Sequence, residues 1–287
     1  MKIITTDKCQ SLATKISQKL NCKILDVKFS EFPDGEQYVR VMDNDNDDNV
    51  LIVSSTVDSK SILQTILLID SCRDKHTTLV LPYMGYARQD KIFNDGEPLS
   101  ARAIARSLSD EVDQVYTVNI HDTSVLKHFK CPVENLSIAK QIGEYISQMN
   151  LSDPIILSPD DGAFEFAKSI STTGGGWDCD YMDKTRISGS EIKIAPKNID
   201  ANGRDCVIVD DIISTGGSIS PVAKMLIDQK ASSVRAICVH GLFISSGYIR
   251  LMKSGVTDVI SSDTIESATS KITASTVIAD RIRQNRS

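Results

Sequence analysis

The sequence contains no G-x-x-x-x-G-K-[ST] and no G-x-G-x-x-G, so the ordinary P-loop and dinucleotide-binding readings lack their motifs. No cysteines pair as C-x-x-C. The seven, at Cys9, Cys22, Cys72, Cys131, Cys179, Cys206 and Cys238, are scattered singly and are odd in number. That argues against a disulfide scaffold or a zinc ribbon, and for a reducing cytoplasm. There is no basic block and the net charge is −6, which disfavours a nucleic-acid partner. No apolar run approaches membrane-spanning length, and MKIITTDKC at the start has no signal-peptide apolar core. What remains is a globular profile, 41% hydrophobic and 24% charged, in 287 residues, enough chain for two domains with a core each.

The most informative stretch is CVIVDDIISTGGSI, Cys206 to Ile219. Val207, Ile208 and Val209 read as a strand buried on both faces, as in a parallel sheet. Asp210 and Asp211 are expected to end it. A loop of small residues follows, Ser214, Thr215, Gly216, Gly217 and Ser218, and a helix starts near Ser220 and Pro221. Glycines let backbone approach closely, and free N–H groups at a helix start attract an anion. The hydroxyls add donors for phosphate oxygens. The carboxylates can take sugar hydroxyls, or Mg²⁺ through water. A phosphorylated sugar fits this loop; a tight βα turn carrying a solvated Asp pair is the plainer alternative. The segment resembles the phosphoribosyl pyrophosphate (PRPP) motif of the phosphoribosyltransferase superfamily.

Earlier in the chain, strands are expected at Lys2–Thr5, Lys23–Phe29, Gln37–Met42, Val50–Ser54, Thr78–Leu81 and Val115–Ile120, with helices at Lys8–Leu20, Ser61–Arg73 and Glu97–Leu108. FPDGE, Phe32 to Glu36, is a hairpin turn by its Pro-Asp-Gly, and an acidic turn beside an exposed aromatic can also hold adenine and its ribose. The acidic run Asp43–Asn49 lacks the glycine and glutamate of a calcium loop and reads as a solvated connection. PYMGYARQDK, Pro82 to Lys91, follows a strand end, where open α/β sheets bind ligands. Arg88 can grip phosphate, and Gln89 and Asp90 can orient a nucleotide. His121 sits just past the next strand, a place suited to metal or phosphate.

Cys131–Ser137 suggests a domain boundary, giving units 1–137 and 138–287. A helix is expected at Ile138–Met149 and a strand at Pro154–Leu157. Ser158-Pro-Asp-Asp-Gly162 then leads into a helix at Phe164–Ile170; Asp160 is a Mg²⁺ candidate and Asp161 could cap the helix. Strands at Asp180–Ile187 and Glu191–Ile194, joined at Ser188–Ser190, place Lys184 and Arg186 on one face, where basic residues could also simply guard an edge. A further strand is expected at Val234–Val239 and a C-terminal helix near Val277–Arg286.

NVLIVSST (Asn49–Thr56) and DCVIVDDI (Asp205–Ile212) share a pattern at an offset of 156 residues. Each precedes a helix and another strand, so two copies of one doubly wound fold are inferred. The first copy has Ser54 and Ser55 in place of Asp210 and Asp211 and lacks the glycine loop. It is expected to have lost the sugar-phosphate site and to be free for nucleotide contacts.

With FPDGE, PYMGYARQDK, His121, SPDDG, Lys184-x-Arg186 and VDDIISTGGS in order, the chain resembles the ribose-phosphate diphosphokinase (PRPP synthetase) family over nearly its whole length. KIFNDGEPLS after the ARQD motif is closer to its archaeal branch. The resemblance implies an α/β fold of two tandem phosphoribosyltransferase-like domains with mainly parallel sheets. It implies transfer of the β,γ-diphosphoryl group of Mg-ATP to the 1-hydroxyl of ribose 5-phosphate, giving PRPP and AMP. Phe32, Asp34, Gly35, Glu36, Arg88, Gln89 and Asp90 match its ATP contacts, and His121 and Asp160 its Mg²⁺ positions. Arg186, Asp210, Asp211 and Ser214–Ser218 match its ribose 5-phosphate site, and Lys184 its catalytic lysine. It also implies a cytoplasmic homo-oligomer, at least a dimer, with the ATP site near a subunit interface and Phe32 stacking in trans. Asp161-Gly162-Ala163 and Glu165 depart from the usual pattern of the bacterial pyrophosphate loop, as does Asp-Thr-Ser after His121. A base phosphoribosyltransferase would share the PRPP loop without needing FPDGE or YARQD. A regulatory homologue would be expected to have lost the catalytic residues.

Overall fold

Apolar, β-branched runs set the frame. In the computed structural model, which describes residues 1–42, 47–186, 192–195 and 200–285, and only the backbone of 183–186 and 192–195, those runs become central parallel strands. Asp43–Asn46 of the acidic run and the Ser188–Ser190 joint lie outside the described residues. The first half runs β1 (Lys2–Thr5), α1 (Gln10–Leu20), β2 (Lys23–Ile24), β3 (Val27–Glu31), β4 (Gln37–Val41), β5 (Asn49–Val53), α2 (Ser59–Asp70), β6 (His76–Leu81), α3 (Ser100–Leu108), β7 (Gln114–Val118) and β8 (Val133–Leu136). The second runs α4 (Ala139–Ser147), β9 (Ile155–Ser158), α5 (Phe164–Gly174), β10 (Asp178–Tyr181), β11 (Asp183–Arg186), β12 (Ile192–Ala195), β13 (Asp205–Ile213), α6 (Ile219–Asp228), β14 (Ser233–Gly241), α7 (Gly247–Lys253), β15 (Asp258–Ser262), β16 (Ser270–Ile272) and α8 (Ser275–Gln284).

The duplication is visible in the topology. One sheet has the order β2-β1-β5-β6-β7-β8 and the other β10-β9-β13-β14-β15-β16, every pairing parallel. Each half adds an antiparallel hairpin, β3–β4 in one and β11–β12 in the other. Parallel strands bury both faces, so their interiors read as unbroken apolar runs. Leu51–Val53 and Cys206–Val209 are wholly buried. Leu68, Leu79, Leu81 and Leu108 pack around the first sheet. Val222, Leu226 and Leu251 pack around the second. Among the described residues, no helix is long and apolar enough to cross a membrane.

Three expectations need correction. The strand beginning at Cys206 does not end at the aspartates. β13 runs through Asp210 and Asp211 to Ile213, because β14 continues beside it and pairs Ile212 with His240 and Ile213 with Gly241. The single strands expected at Lys23–Phe29 and from Asp180 each divide. Lys23–Ile24 pairs with β1 before Val27 turns into the hairpin, and Asp178–Tyr181 pairs with β9 before β11 begins past buried Met182. Alternation of side chains is the same whichever neighbour a strand takes, so the change of partner leaves no mark in the pattern.

The third concerns the domains. Residues 263–266 and 273–285 group with the first unit, where the expected boundary would put them in the second. The reason is packing: α8 lies on α1, with Ile278, Ala279 and Ile282 buried on one and Leu12, Ala13 and Ile16 on the other. Lys15 pairs with buried Asp263 at 2.8 Å, and the Leu12 N–H donates to Glu266 at 2.8 Å. In the second unit α4 packs on α5 in the same way. The end of the chain thus supplies the first unit with the helix that precedes the first strand of the second. Ile278→Ala is expected to lower the stability of the first unit by roughly 2–5 kcal/mol, the cost of emptying a buried aliphatic site. Urea melts followed by far-UV dichroism check this, and an unchanged transition would contradict the packing.

Candidate active site

The FPDGE turn closes the β3–β4 hairpin as the Pro-Asp-Gly signal implies. The Phe32 N–H donates to the Glu36 carbonyl at 2.8 Å, and the Gly35 N–H to the Phe32 carbonyl at 2.8 Å. Gly35 takes φ +96°, a conformation that favours glycine. The Glu36 N–H donates to the Asp34 carboxylate at 3.2 Å. The turn end of the hairpin is tied to α2, since Lys60 and Gln37 both donate to Glu31 Oε2 at 2.8 Å and hold that carboxyl below its usual range. Phe32 is half-exposed, touched edge-on by Tyr38.

The YARQD loop follows β6. A Cβ on Gly85 would meet the Thr56 carbonyl oxygen at 2.1 Å, so only glycine lets this loop lie against the end of β5. The Gly85 N–H donates to Thr56 Oγ1 at 2.9 Å and the Thr56 N–H to the Tyr83 carbonyl at 2.9 Å. Tyr86 sits at φ +64°, its hydroxyl 3.0 Å from Ser59 Oγ. Arg88 is exposed. Gln89 is held by Ser100 Oγ at the start of α3, and Asp90 lies near Lys91 at 3.7 Å. His121 is exposed just beyond β7. The nucleotide candidates outside the hairpin and His121 therefore share the carboxyl edge of the first sheet, the edge at which open α/β sheets bind ligands.

At the equivalent edge of the second sheet stand Asp160, Asp210, Asp211 and the glycine loop. The Asp211 N–H donates to the Asp210 carboxylate at 2.9 Å and the Ile212 N–H to that of Asp211 at 2.7 Å. Burial, then the charges of Asp211 and Asp160, push the Asp210 carboxyl well above the usual carboxylate range. This concentration of negative charge suits a hard divalent cation bound through oxygen and water. Among the described residues, no three His, Cys, Asp or Glu side chains are grouped to hold a metal by themselves. Asp161 does not cap α5: the helix starts at Phe164 after a 3₁₀ turn over Asp161–Ala163, and its cap position, Ala163, has no side-chain acceptor.

Residues 214–218 form an open loop before α6. Gly216, at φ +71°, is pressed on the Gly247 carbonyl and the Leu251 side chain. Gly247 in turn has no room for a Cβ beside the Ser214 carbonyl, at 2.5 Å. Arg250 Nη1 donates to the Thr215 carbonyl at 2.7 Å. Gly247, Arg250 and Leu251 escaped the sequence reading; the one local signal was a glycine opening a helix after a strand end. Lys184 and Arg186 share a face of the β11–β12 hairpin by register, opposite Ile194 and Ile192.

The first unit's counterparts of the aspartates tell the opposite story. Ser54 and Ser55 are wholly buried. Ser54 Oγ meets Thr65 Oγ1 at 2.7 Å, and Ser55 Oγ donates to the Thr264 carbonyl at 2.5 Å. That strand end is sealed by internal hydrogen bonds.

A family model described as the N-terminal domain of ribose phosphate pyrophosphokinase matches residues 1–111, and one for the phosphoribosyl transferase domain matches residues 133–247. The ribose-phosphate pyrophosphokinase of Methanosarcina mazei is 41% identical over 283 residues, covering 98% of this chain and 95% of that protein. The chain belongs to the ribose-phosphate pyrophosphokinase family. Ribose-phosphate pyrophosphokinase 2 of Archaeoglobus fulgidus is 39% identical over 282 residues, 98% of this chain and 100% of the other. The crystal structure of phosphoribosylpyrophosphate synthetase from Mycobacterium smegmatis matches with a TM-score of 0.85 at 25% identity, covering 99% of this chain and 98% of that one. The ribose-phosphate pyrophosphokinase likeness, its archaeal leaning and the paired phosphoribosyltransferase-type domains are borne out. A base phosphoribosyltransferase does not account for the match over residues 1–111.

Gly85→Ala is expected to displace the YARQD loop, cost roughly 1–3 kcal/mol by overpacking and raise the KM for ATP more than that for ribose 5-phosphate. Steady-state kinetics check it; unchanged constants would contradict the clamp. Asp210→Asn is expected to stabilise the ligand-free protein. Because the Asp210 carboxyl is raised in the fold, the folded chain binds more protons there than the unfolded chain. Stability from this group is therefore full below the usual carboxylate range and is lost as pH rises through the folded value. The variant's gain, about 2–4 °C in melting temperature, should appear near neutral pH and vanish in acid. A gain independent of pH would contradict this origin.

Proposed function

We propose that the chain transfers the diphosphoryl group of ATP to the anomeric hydroxyl of ribose 5-phosphate, with the nucleotide held by the first unit and the pentose ester by the second. The observation that carries this division is the contrast between duplicated strand ends: Ser54 and Ser55 sealed, Asp210 and Asp211 opening onto the glycine loop. Amides and hydroxyls of Ser214, Thr215, Gly216, Gly217 and Ser218 receive the 5-phosphate, and Asp210 and Asp211 the ribose hydroxyls. Arg186 adds charge to the sugar phosphate. Phe32 stacks on adenine while Asp34, Gly35 and Glu36 line its edge; Arg88, Gln89 and Asp90 orient the triphosphate.

The anomeric oxygen attacks the β-phosphorus in line. The bond to the α,β-bridging oxygen breaks, AMP leaves with that oxygen, and the hydroxyl proton is released. Such a transfer depends on alignment and charge neutralisation more than on covalent help. Lys184 steadies negative charge on the moving group and the leaving oxygen. His121 and Asp160 would hold Mg²⁺, which when bound supplies charge neutralisation on the phosphate oxygens; the acidic cluster around Asp210 is in keeping with such an ion. The half-exposed Phe32 at a hairpin tip supports a homo-oligomer, at least a dimer, in which this turn reaches a partner's nucleotide. The cysteines, all free, support a cytoplasmic setting.

Purified protein given Mg-ATP and ribose 5-phosphate, with no base, should form AMP and PRPP in equal amounts; absence of AMP would overturn the reading. Lys184→Ala should lower kcat by about 10²–10³-fold while leaving ribose 5-phosphate affinity nearly unchanged. Equal losses in both would remove Lys184 from the catalytic role.

A further inference from the structure

A cavity of about 560 Å³ lies between α6 and α7, lined by Ser220, Pro221, Lys224, Ser246, Ile249, Arg250, Lys253 and Ser254. Lys224, Arg250 and Lys253 bring positive charge to it, and no carboxylate lines it. The protein as a whole carries a net charge of −6, so this is a local reversal of sign. None of the three cations makes a carboxylate ion pair among the described residues. The hydroxyl of Ser220, a residue only 7% exposed, has no hydrogen-bond partner. Beside Ser246 and Ser254, the remaining wall is apolar, from Pro221, Ile249 and the methylene stems of the lysines. Ser246 at the cavity is at φ +62°, and Ser245 and Phe243 just before it are at +50° and +45°. Backbone strain of this kind gathers at ligand-binding segments.

We infer that this cavity is a second ligand site, taking a small organic anion whose charged head meets Lys224, Arg250 and Lys253 and whose apolar body lies on Pro221 and Ile249. The site is joined to the glycine loop by short links. Arg250 donates to the Thr215 carbonyl at 2.7 Å, the Ser220 N–H to the Gly216 carbonyl at 3.0 Å, and Leu251 abuts Gly216. An anion that engages Arg250 competes for the hydrogen bond that holds the loop. Occupancy therefore changes the affinity of residues 214–218 for their own ligand. The site stands independently of the proposed function; its effect on ribose 5-phosphate rests on that reading.

The probe is 8-anilinonaphthalene-1-sulfonate, an anion with an apolar body, titrated by fluorescence into the full chain saturated with ribose 5-phosphate. The double variant K224E/K253E should bind it at least about tenfold more weakly, a loss of about 1.4 kcal/mol, while forming AMP at the parent's rate without the probe. Equal affinity in the two proteins overturns the site. A crystal holding both compounds should place the sulfonate within hydrogen-bond reach of Lys224, Arg250 or Lys253, and density only elsewhere overturns it too. In kinetics, the probe should shift the KM for ribose 5-phosphate in the parent and not in the variant. No shift in a parent shown by fluorescence to be loaded overturns the coupling. If ribose 5-phosphate fails to seat on the loop, titration of the ligand-free protein still decides the site.

Discussion

Gly216 and Gly247 let two stretches of backbone touch, and the shape of residues 214–218 depends on that contact. Any side chain at Gly247 would strike the Ser214 carbonyl, and Arg250 fastens the Thr215 carbonyl from one turn further along α7. A loop braced in this way meets an anion with its donors already placed, so little ordering has to be done on binding. The position of the loop is in turn a consequence of β13. Because β14 keeps pairing beyond the aspartates, the strand carries Asp210 and Asp211 rigidly up to the loop.

The same fold, built twice, diverges at this point. In the first unit the strand end is filled with serine and threonine hydroxyls that satisfy one another, and Thr56 clamps Gly85 of the YARQD loop. In the second, Asp160, Asp210 and Asp211 crowd the sheet edge, and the Asp210 carboxyl is raised there first by burial and then by the charges beside it. A carboxylate buried beside others is a cost to stability that a bound cation or sugar hydroxyls can offset. On the proposed reading, the first copy contributes through its hairpin and its YARQD loop instead.

Much of this was legible from residue types alone. Buried parallel strands announce themselves as β-branched runs, so Asn49–Val53 was found within a residue of its bounds, and the start of β13 within one of Asp205, though not its end at Ile213. FPDGE was a hairpin turn on local chemistry, and the internal echo at β5 and β13 foretold matching sheet orders. What stayed hidden depends on contacts distant in sequence. The division of Lys23–Phe29 follows from which neighbour each part pairs with. The attachment of α8 to the first unit follows from an apolar stripe that could have packed on either half. Gly85 drew no separate expectation; its role is a close approach to Thr56, some thirty residues earlier, which no local pattern records. Gly247, Arg250 and Leu251 were missed for the same reason: they act on the loop through space.

A structure of the chain with ribose 5-phosphate and a non-hydrolysable ATP analogue would test the division of labour most directly. The account predicts the 5-phosphate against the backbone amides of residues 214–218, with the ribose hydroxyls at Asp210 and Asp211. A pentose ester seated at the sealed strand end of Ser54 and Ser55, or away from both glycines of the loop, would contradict it.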